Sequence, residues 1–479
     1  MSEPPDRARP PVEADELIRR FDALRAAQAR EPWPRAEVRR DRLARVLAIV
    51  RDREAEFVAA IDRDFGHRSA HETRLAELHI VAASARHAMR QLRRWMAPRR
   101  VRTPLELKPG WAYVVPQPLG VAGIVSPWNY PVQLALAPAV AALAAGNRVM
   151  LKPSEVTPAT SSLLAEAIAA RFASDEFTVV TGGAELGAAF ARLPFDHLFF
   201  TGSTAVGRLV AKAAAENLTP VTLELGGKSP AIIVAGADPA RLALRLAVGK
   251  LLNAGQTCIA PDYALVPAGD VDAWVRALVD AVGTLYPDPM RGDDYTSIVD
   301  ARHYERLVGL VDDARAHGAR IVTIPAGAAP DAVTRRIPPT LVVGATDAMR
   351  IMHEEIFGPL LPIEAYTTLD QAIANVARRP RPLALYVFGA DQAARARLLR
   401  ETIAGGVTVD DTLWHFAHEE LPFGGVGASG SGAYHGEAGF FTFSHRKSVF
   451  VQPRFAATKL LYPPYGRTFE KVLALLKRL

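Results

Sequence analysis

Residues 196–227 read "DHLFFTGSTAVGRLVAKAAAENLTPVTLELGG". An apolar β-rich run, "DHLFFTG", breaks at a Gly-Ser turn, continues as an Ala-rich helical stretch over 204–216, and returns to a second β-rich run, "PVTLELGG". Two strands joined by a helix are a parallel unit, because the helix is the crossover that such strands need. The turn "GSTAVG", Gly202 to Gly207, places glycine and Ser203 where a helix begins. Ser203 is suited to cap that helix, and a helix N-terminus after a strand attracts phosphate.

The pattern repeats outward. "GVAGIVS", "NRVMLKPS" and "FTVVTG" are further apolar runs, with helical stretches at 132–145 and 158–172 between them. A second α/β series runs from about 225 to 415 through "YALVP", "ARIVT" and "LALYVFG". Strands alternating with helices predict parallel sheets covered on both faces. Residues 13–64 have helical periodicity, with Leu43, Val46, Leu47 and Val50 on one face. Residues 102–120 read as extended strands around a Lys-Pro-Gly turn, 422–436 as a glycine-rich loop, and 441–453 as a late strand. The tail "GRTFEKVLALLKRL" is a basic amphipathic helix with Phe469, Val472, Leu473, Leu476 and Leu479 on one face. Docking onto the protein or a dimer partner suits it better than membrane contact.

The 479 residues are enough for two or three packed domains. Hydrophobic content of 49% and charged content of 23% are those of a soluble globular chain. The formal charge of +6 is mild and does not point to a nucleic-acid partner. The N-terminus is polar and proline-rich, without the apolar stretch of a signal peptide. Residues 109–147 hold no Asp, Glu, Lys or Arg, but prolines divide them into pieces shorter than the roughly 20 residues of a spanning helix. The chain reads as cytoplasmic, with no stable membrane anchor. His415, His418, His435 and His445 lack the partners of a metal centre, so no metal is expected.

Cys258, in "NAGQTCIAP", is the single cysteine. It excludes an intrachain disulfide, and by frequency a lone cysteine is a small buried hydrophobe. Its setting, after Gly255 and before Pro261, suits a nucleophile brought against a ligand. Glu224, at the end of "VTLEL" and before two glycines, is a carboxylate that could take a proton from a thiol or from water.

"LELGGKSP" followed by "GQTCIAP", with Glu and Cys 34 positions apart, resembles the aldehyde dehydrogenase superfamily. "PWNYP" (127–131), "LKPSE" (151–155), "FTGSTAVG" (200–207), "EEIFGP" (354–359) and "PFGGVGASG" (422–430) resemble further motifs of that family, in the family's order. "GQTCIAPDY" and "YHGEAGFFTFSHRKSV" are most similar to its class 3 branch, and within it to the bacterial coniferyl aldehyde dehydrogenases.

The resemblance implies a Rossmann-like nucleotide-binding domain (1–101 and 121–223), an α/β catalytic domain (224–416), bridging segments (102–120 and 417–453) whose small sheet pairs two subunits into a homodimer, and a tail helix (454–479). It implies Cys258 as nucleophile, Glu224 as base, and the Asn129 amide with the Cys258 N–H as oxyanion donors. Lys152 and Glu155 would contact the adenosine ribose; Gly202, Ser203 and Gly207 the phosphates; Glu355 the nicotinamide ribose, with Phe357 packed beside it. Glu155 should repel a 2′-phosphate, which favours NAD, with NADP possible. Tyr130, Trp414 and His415 could line an aromatic substrate pocket, or be ordinary core. The implied reaction converts an aromatic or cinnamyl aldehyde such as coniferyl aldehyde to its acid. A medium- or long-chain aliphatic aldehyde, a cofactor-independent thiol acyl hydrolase and a non-catalytic role are the alternatives. The motifs "GSTAVG" and "LKPSE", of no use to a hydrolase, argue against the second. Asn129, Glu224 and Cys258 together argue against the third.

Overall fold

A computed structural model describes residues 14–389 and 391–477; the proline-rich residues 1–13 and Leu479 of the tail's apolar face lie outside them. Two large sheets and one small one organise the chain.

The first sheet has six strands in the order Gly430–Ser431, Val221–Leu225, His197–Gly202, Val121–Val125, Arg148–Lys152, Phe177–Val179. Every neighbour is parallel except Gly430–Ser431, which runs antiparallel and sets Gly430 opposite Glu224. From Val121–Val125 the chain builds outward first to one side and then to the other. The strand order therefore reverses between Val121–Val125 and His197–Gly202. In open α/β sheets the ligand crevice lies outside the carboxyl ends of the strands at that reversal. Here those ends lead into Ser126–Asn129 and into the Gly202–Ser203 turn.

The second sheet has seven strands in the order Arg320–Thr323, Thr340–Val343, Leu360–Tyr366, Tyr263–Pro267, Pro230–Ile233, Ala384–Phe388, Gly406–Val409, all parallel except the first. The third joins Arg99–Val101, Trp111–Pro118 and Ser444–Val451, all antiparallel. Residues Leu105–Leu107, expected to be extended, form a 3-10 turn, and the strand pairing begins at Arg99. Phe441 and Thr442 close a helix, Gly436–Thr442, before the last strand starts. Residues 13–64 contain three helices, Ala14–Arg30, Ala36–Asp52 and Glu54–Phe65.

The charge-free stretch resolves into two strands and the helix Gln133–Ala145. Each of that helix's residues is buried, so it has no polar face. Both of its ends are closed by charge. At the start, Glu77 Oε2 accepts the N–H groups of Val132 and Gln133 at 2.8 and 2.9 Å. At the end, the Arg39 guanidinium donates to the carbonyls of Ala144 and Ala145 at 3.1 and 2.7 Å. An anion at the N-terminus and a cation at the C-terminus both complement the helix dipole. This fixes the turn just before the helix, which carries Asn129 and Tyr130.

No helix among the described residues is long and apolar enough to cross a membrane. The tail helix Arg467–Leu476 has no fully buried residue; Phe469, Val472, Leu473 and Leu476 are half-buried along one face.

Candidate active site

Cys258 follows a backbone that few sequences can adopt. Asn253, Ala254 and Gly255 have φ of 54°, 50° and 76°, three successive residues in the left-handed region. Non-glycine residues there carry strain that the surroundings must hold. Buried hydrogen bonds hold it: the Glu72 carboxylate takes the Asn253 N–H at 3.1 Å. The Gln256 side chain donates to the carbonyls of Asn253 and Ser297 at 3.0 Å each and accepts from the Val299 N–H at 3.0 Å. Gly255 is required, since a Cβ there would lie 2.3 Å from the Gly358 carbonyl oxygen. The segment thus locks the cysteine loop to the loop before Leu360.

The Asn129 side-chain amide donates to the Gln256 carbonyl at 3.1 Å. An amide NH2 has two hydrogens, so one remains to face the cavity. The Asn129 carbonyl accepts from Arg68 and from the Asn253 side chain, both at 3.0 Å. Arg68 is itself fully buried in an ion pair with Glu77 at 2.9 Å.

Two cavities meet at the sulfur. The first, about 220 Å³, is lined by Asn129, Gly202, Ser203, Glu224, Cys258, Glu355 and Phe357 among others. The second, about 430 Å³, is strongly apolar and takes in Tyr130, Leu244, Val248, Trp414 and Phe416. Cys258, Leu134 and Phe416 line both. Burial, with the nearby carboxylates of Glu355 and Glu224, pushes the Cys258 thiol up to about 12. Glu224 is buried, neither carboxylate oxygen has a hydrogen-bond partner among the described residues, and burial holds its pKa well above the ordinary carboxylate value. A buried carboxylate without partners is an uncommon arrangement outside functional sites.

Glu355 lies over the backbone of the Gly226–Gly227 pair. A Cβ on Gly226 would sit 2.0 Å from its Oε2. Burial and the nearby Asp262 raise Glu355 to about 8, against the Gly227 N–H, Lys228 and Arg306. The loop carrying it is tied down by Lys228, which pairs with buried Asp262 and donates to the carbonyls of Ile351 and Glu354 at 2.7 and 3.0 Å. Asp262 in turn accepts the Ile356 N–H at 2.9 Å. Arg306 donates to the carbonyls of Glu355 and Ile356. Phe357, at φ 52°, turns its ring against Trp128 with centroids 5.3 Å apart.

Ser203 caps the helix Thr204–Ala215, accepting the Val206 N–H at 3.4 Å. Lys152 and Glu155 lie at the end of the strand beyond Val121–Val125, bonded at 2.5 Å. Partial burial would raise Glu155, but the Lys152 ammonium outweighs it and holds the carboxyl below its usual range.

Four expected site residues, Lys152, Glu155, Gly207 and His415, line neither cavity. Gly207 is buried below the turn, where a Cβ would meet the Leu225 side chain at 2.6 Å. It lets the helix lie close on the strand and does not reach the cavity. His415 lines neither cavity. It is buried, bonded through Nδ1 to Thr408 Oγ1 at 2.8 Å and stacked on Phe423 at 6.0 Å. Tyr130 and Trp414 do line the apolar cavity, Tyr130 fixed by a 2.7 Å bond to Thr257 Oγ1 and Trp414 exposed at its rim. Among the described residues no group of three His, Cys, Asp or Glu is arranged to hold a metal. Sequence reasoning passed over Arg68, Glu72, Lys228, Asp262 and Arg306. Of these, Lys228 and Asp262 had a signal, being inside "LELGGKSP" and next to "GQTCIAP".

The profile of the aldehyde dehydrogenase family matches residues 13–449. A probable coniferyl aldehyde dehydrogenase of Pseudomonas aeruginosa is 48% identical over 96% of each chain. A coniferyl aldehyde dehydrogenase of a Pseudomonas species is 45% identical over 97% of each. Among solved structures, a substrate-bound Staphylococcus aureus AldH superposes with a TM-score of 0.91 at 38% identity, covering 96% of this chain and 99% of that one. A Mycobacterium tuberculosis aldehyde dehydrogenase complexed with NAD+ gives 0.83 at 30% identity, covering 93% and 92%.

Proposed function

The chain belongs to the aldehyde dehydrogenase family and is an NAD(P)-dependent oxidoreductase, and from that premise we propose that its substrate is an aromatic or cinnamyl aldehyde of the coniferyl type. The observation that carries this reading is the position of Cys258 at the junction of a polar cavity and a larger, apolar one with aromatic walls. A volume of about 430 Å³ is within the range of roughly 300–1,000 Å³ typical of small-molecule pockets. Tyr130, Phe416 and Trp414 offer ring faces and edges to a planar substrate. Two curated relatives of high identity carry the coniferyl name, which supports the same choice.

The polar cavity fits a dinucleotide on three counts. It opens at the strand-order reversal, it includes a capped helix start, and the missing Cβ of Gly226 leaves room for a carboxylate suited to ribose hydroxyls. Ser203 and Gly202 would hold the phosphate end, Glu355 and Phe357 the nicotinamide end, and Lys152 with Glu155 the adenosine ribose. When bound, the cofactor supplies the hydride acceptor. The ionised Glu155 favours NAD over NADP.

In the proposed mechanism the Cys258 thiol gives up its proton to cavity water and the sulfur adds to the aldehyde carbon, so that a planar carbonyl becomes a tetrahedral alkoxide able to lose hydride. The free hydrogen of the Asn129 amide and the Cys258 N–H stabilise that oxygen. The resulting thioester is attacked by water, and Glu224, made more basic by burial, accepts the water's proton. The three-stranded sheet leaves Val101, Trp111 and Phe450 exposed and an unpaired edge at Ser444–Val451, which supports pairing with a second copy as a homodimer.

The test is absorbance at 340 nm with cinnamyl, benzylic and straight-chain aldehydes, each with NAD+ and NADP+, on the wild type and Cys258→Ser. Aldehyde-dependent reduction, fastest for cinnamyl compounds with NAD+ and lost in the variant, is expected. A straight-chain aldehyde turned over better than every aromatic one would overturn the substrate choice.

A further inference from the structure

Glu224 must shed the proton it takes from water before the next turnover. The cavity it lines is working space for the dinucleotide and meets the aldehyde cavity at Cys258. With both filled, a buried carboxylate has no open way to solvent through either. A third side of the site has not yet been given a role. The wall of the polar cavity includes Tyr434, which is buried and whose hydroxyl lies against the Gln133 side-chain amide and near Glu224. Tyr434 is held in place by reciprocal backbone bonds with Phe423, at 2.7 and 2.9 Å.

Behind Tyr434 is a separate small cavity of about 10 Å³, lined by Tyr434, Ser84, Glu419 and His435 together with the apolar Ala88 and Val140 and the Trp95 ring. That is close to the space of one water molecule. Part of its lining is polar with nothing to bond: both His435 ring nitrogens and Glu419 Oε2 have no partner among the described residues. Unsatisfied buried polar groups around a water-sized void are what an ordered water would complete. Glu419 is half-buried, and its neighbours His418 and Glu420 are exposed, so it stands between the void and solvent. Burial raises Glu419 to about 7, against the Ser84 hydroxyl and the Gly436 N–H.

We propose that Tyr434 and Glu419, with one water in the cavity between them, form the exit path for the proton released at Glu224 during thioester hydrolysis. The Tyr434 oxygen accepts a proton from the Glu224 side through cavity water while its own O–H proton passes through the second water to the Glu419 carboxylate. Tyr434 stays neutral. The net change is protonated Glu224 and ionised Glu419 becoming ionised Glu224 and protonated Glu419, which then releases the proton to bulk water. This rests on the assignment of Glu224 as base. His435, buried among Phe416, Phe423 and Tyr434 and held by burial and the nearby His415 at about 3, stays neutral and serves only as a hydrogen-bonding wall.

The experiment follows the decay of the Cys258 acyl-enzyme by rapid-quench mass spectrometry, with reduced-cofactor formation measured in parallel. Tyr434→Phe and Glu419→Gln should each leave first-turnover cofactor reduction and aldehyde KM near wild type and slow acyl-enzyme decay by roughly a hundredfold, the low end of the range for a lost proton-transfer group. The double variant should be no slower than the singles, because both lie on one path. The solvent deuterium isotope effect on decay should rise in each. Wild-type decay in both single variants would overturn the path. So would a loss of first-turnover reduction and thermal stability in Tyr434→Phe with Glu419→Gln unaffected, since that marks a packing role. Glu224→Gln separates the two claims. If it blocks decay while the relay variants do not, the base stands and the path falls. If it decays normally, the base assignment itself fails.

Discussion

Gly226→Ala asks whether the glycine pair after Glu224 exists to seat Glu355. Gly226 is not in the left-handed region, so alanine brings no backbone strain of its own. The new methyl would sit 2.0 Å from Glu355 Oε2 and 2.4 Å from its carboxyl carbon, far inside contact distance. The carboxyl is the free end of a side chain and would swing away, giving up its Gly227 N–H bond and its place in the cavity. A hydrogen bond to an uncharged group, which Glu355 is at neutral pH, contributes about 0.5–1.5 kcal/mol, and each 1.4 kcal/mol is tenfold in affinity. NADH affinity, read by quenching of protein fluorescence, should therefore fall by roughly two- to tenfold. Thermal stability should change little. Gly227→Ala is the control. Its Cβ would lie 3.4 Å from Pro382 Cα, an ordinary contact, so cofactor affinity should stay near wild type. Unchanged affinity in Gly226→Ala, or equal losses in both variants, would refute the reasoning.

Gly255→Ala should behave differently, because φ of 76° and the Gly358 carbonyl 2.3 Å from the new Cβ leave only backbone to yield; a loss of about 3 kcal/mol or more in urea denaturation is expected, and an unchanged midpoint would contradict it. The Cys258 thiol of the cofactor-free protein, pushed up to about 12 by burial, is protonated at neutral pH. A raised thiol pKa means the thiolate grows in as pH rises, so iodoacetamide alkylation should climb roughly tenfold per unit between pH 7 and 10, and a plateau near 8.5 would contradict it. His415→Leu should lower the melting temperature by removing the Thr408 bond while leaving the ranking of aldehydes unchanged; a reordered ranking would return His415 to the substrate path.

The parallel sheets were legible because each buried strand is a short apolar run between turn residues, and the reversal in strand order follows from which runs pair. Cys258 and Glu224, which line the same cavity, stood out because both lie in motifs whose residue types have a chemical use. The misplacements have a common origin. "WHF" is an aromatic run in either setting, and sequence does not separate a ring facing a cavity from a ring stacked on Phe423. The spacing of Gly202 and Gly207 is that of a phosphate turn, whereas Gly207 serves the contact with Leu225, visible only once helix and strand are together. Arg68, Glu72 and Glu77 gave no signal because their partners are remote: Glu72 bonds Asn253, 181 positions later, and Glu77 bonds Val132, 55 later.

The central claim is that the substrate's acyl group is carried on Cys258 and removed by water that Glu224 activates. The most direct measurement is the intact mass of Glu224→Gln mixed with coniferyl aldehyde and NAD+, followed by peptide mapping. The account predicts one equivalent of reduced cofactor and one acyl group per chain, on the peptide holding Cys258. Reduced cofactor formed over many turnovers, with no acyl group on Cys258, would contradict it.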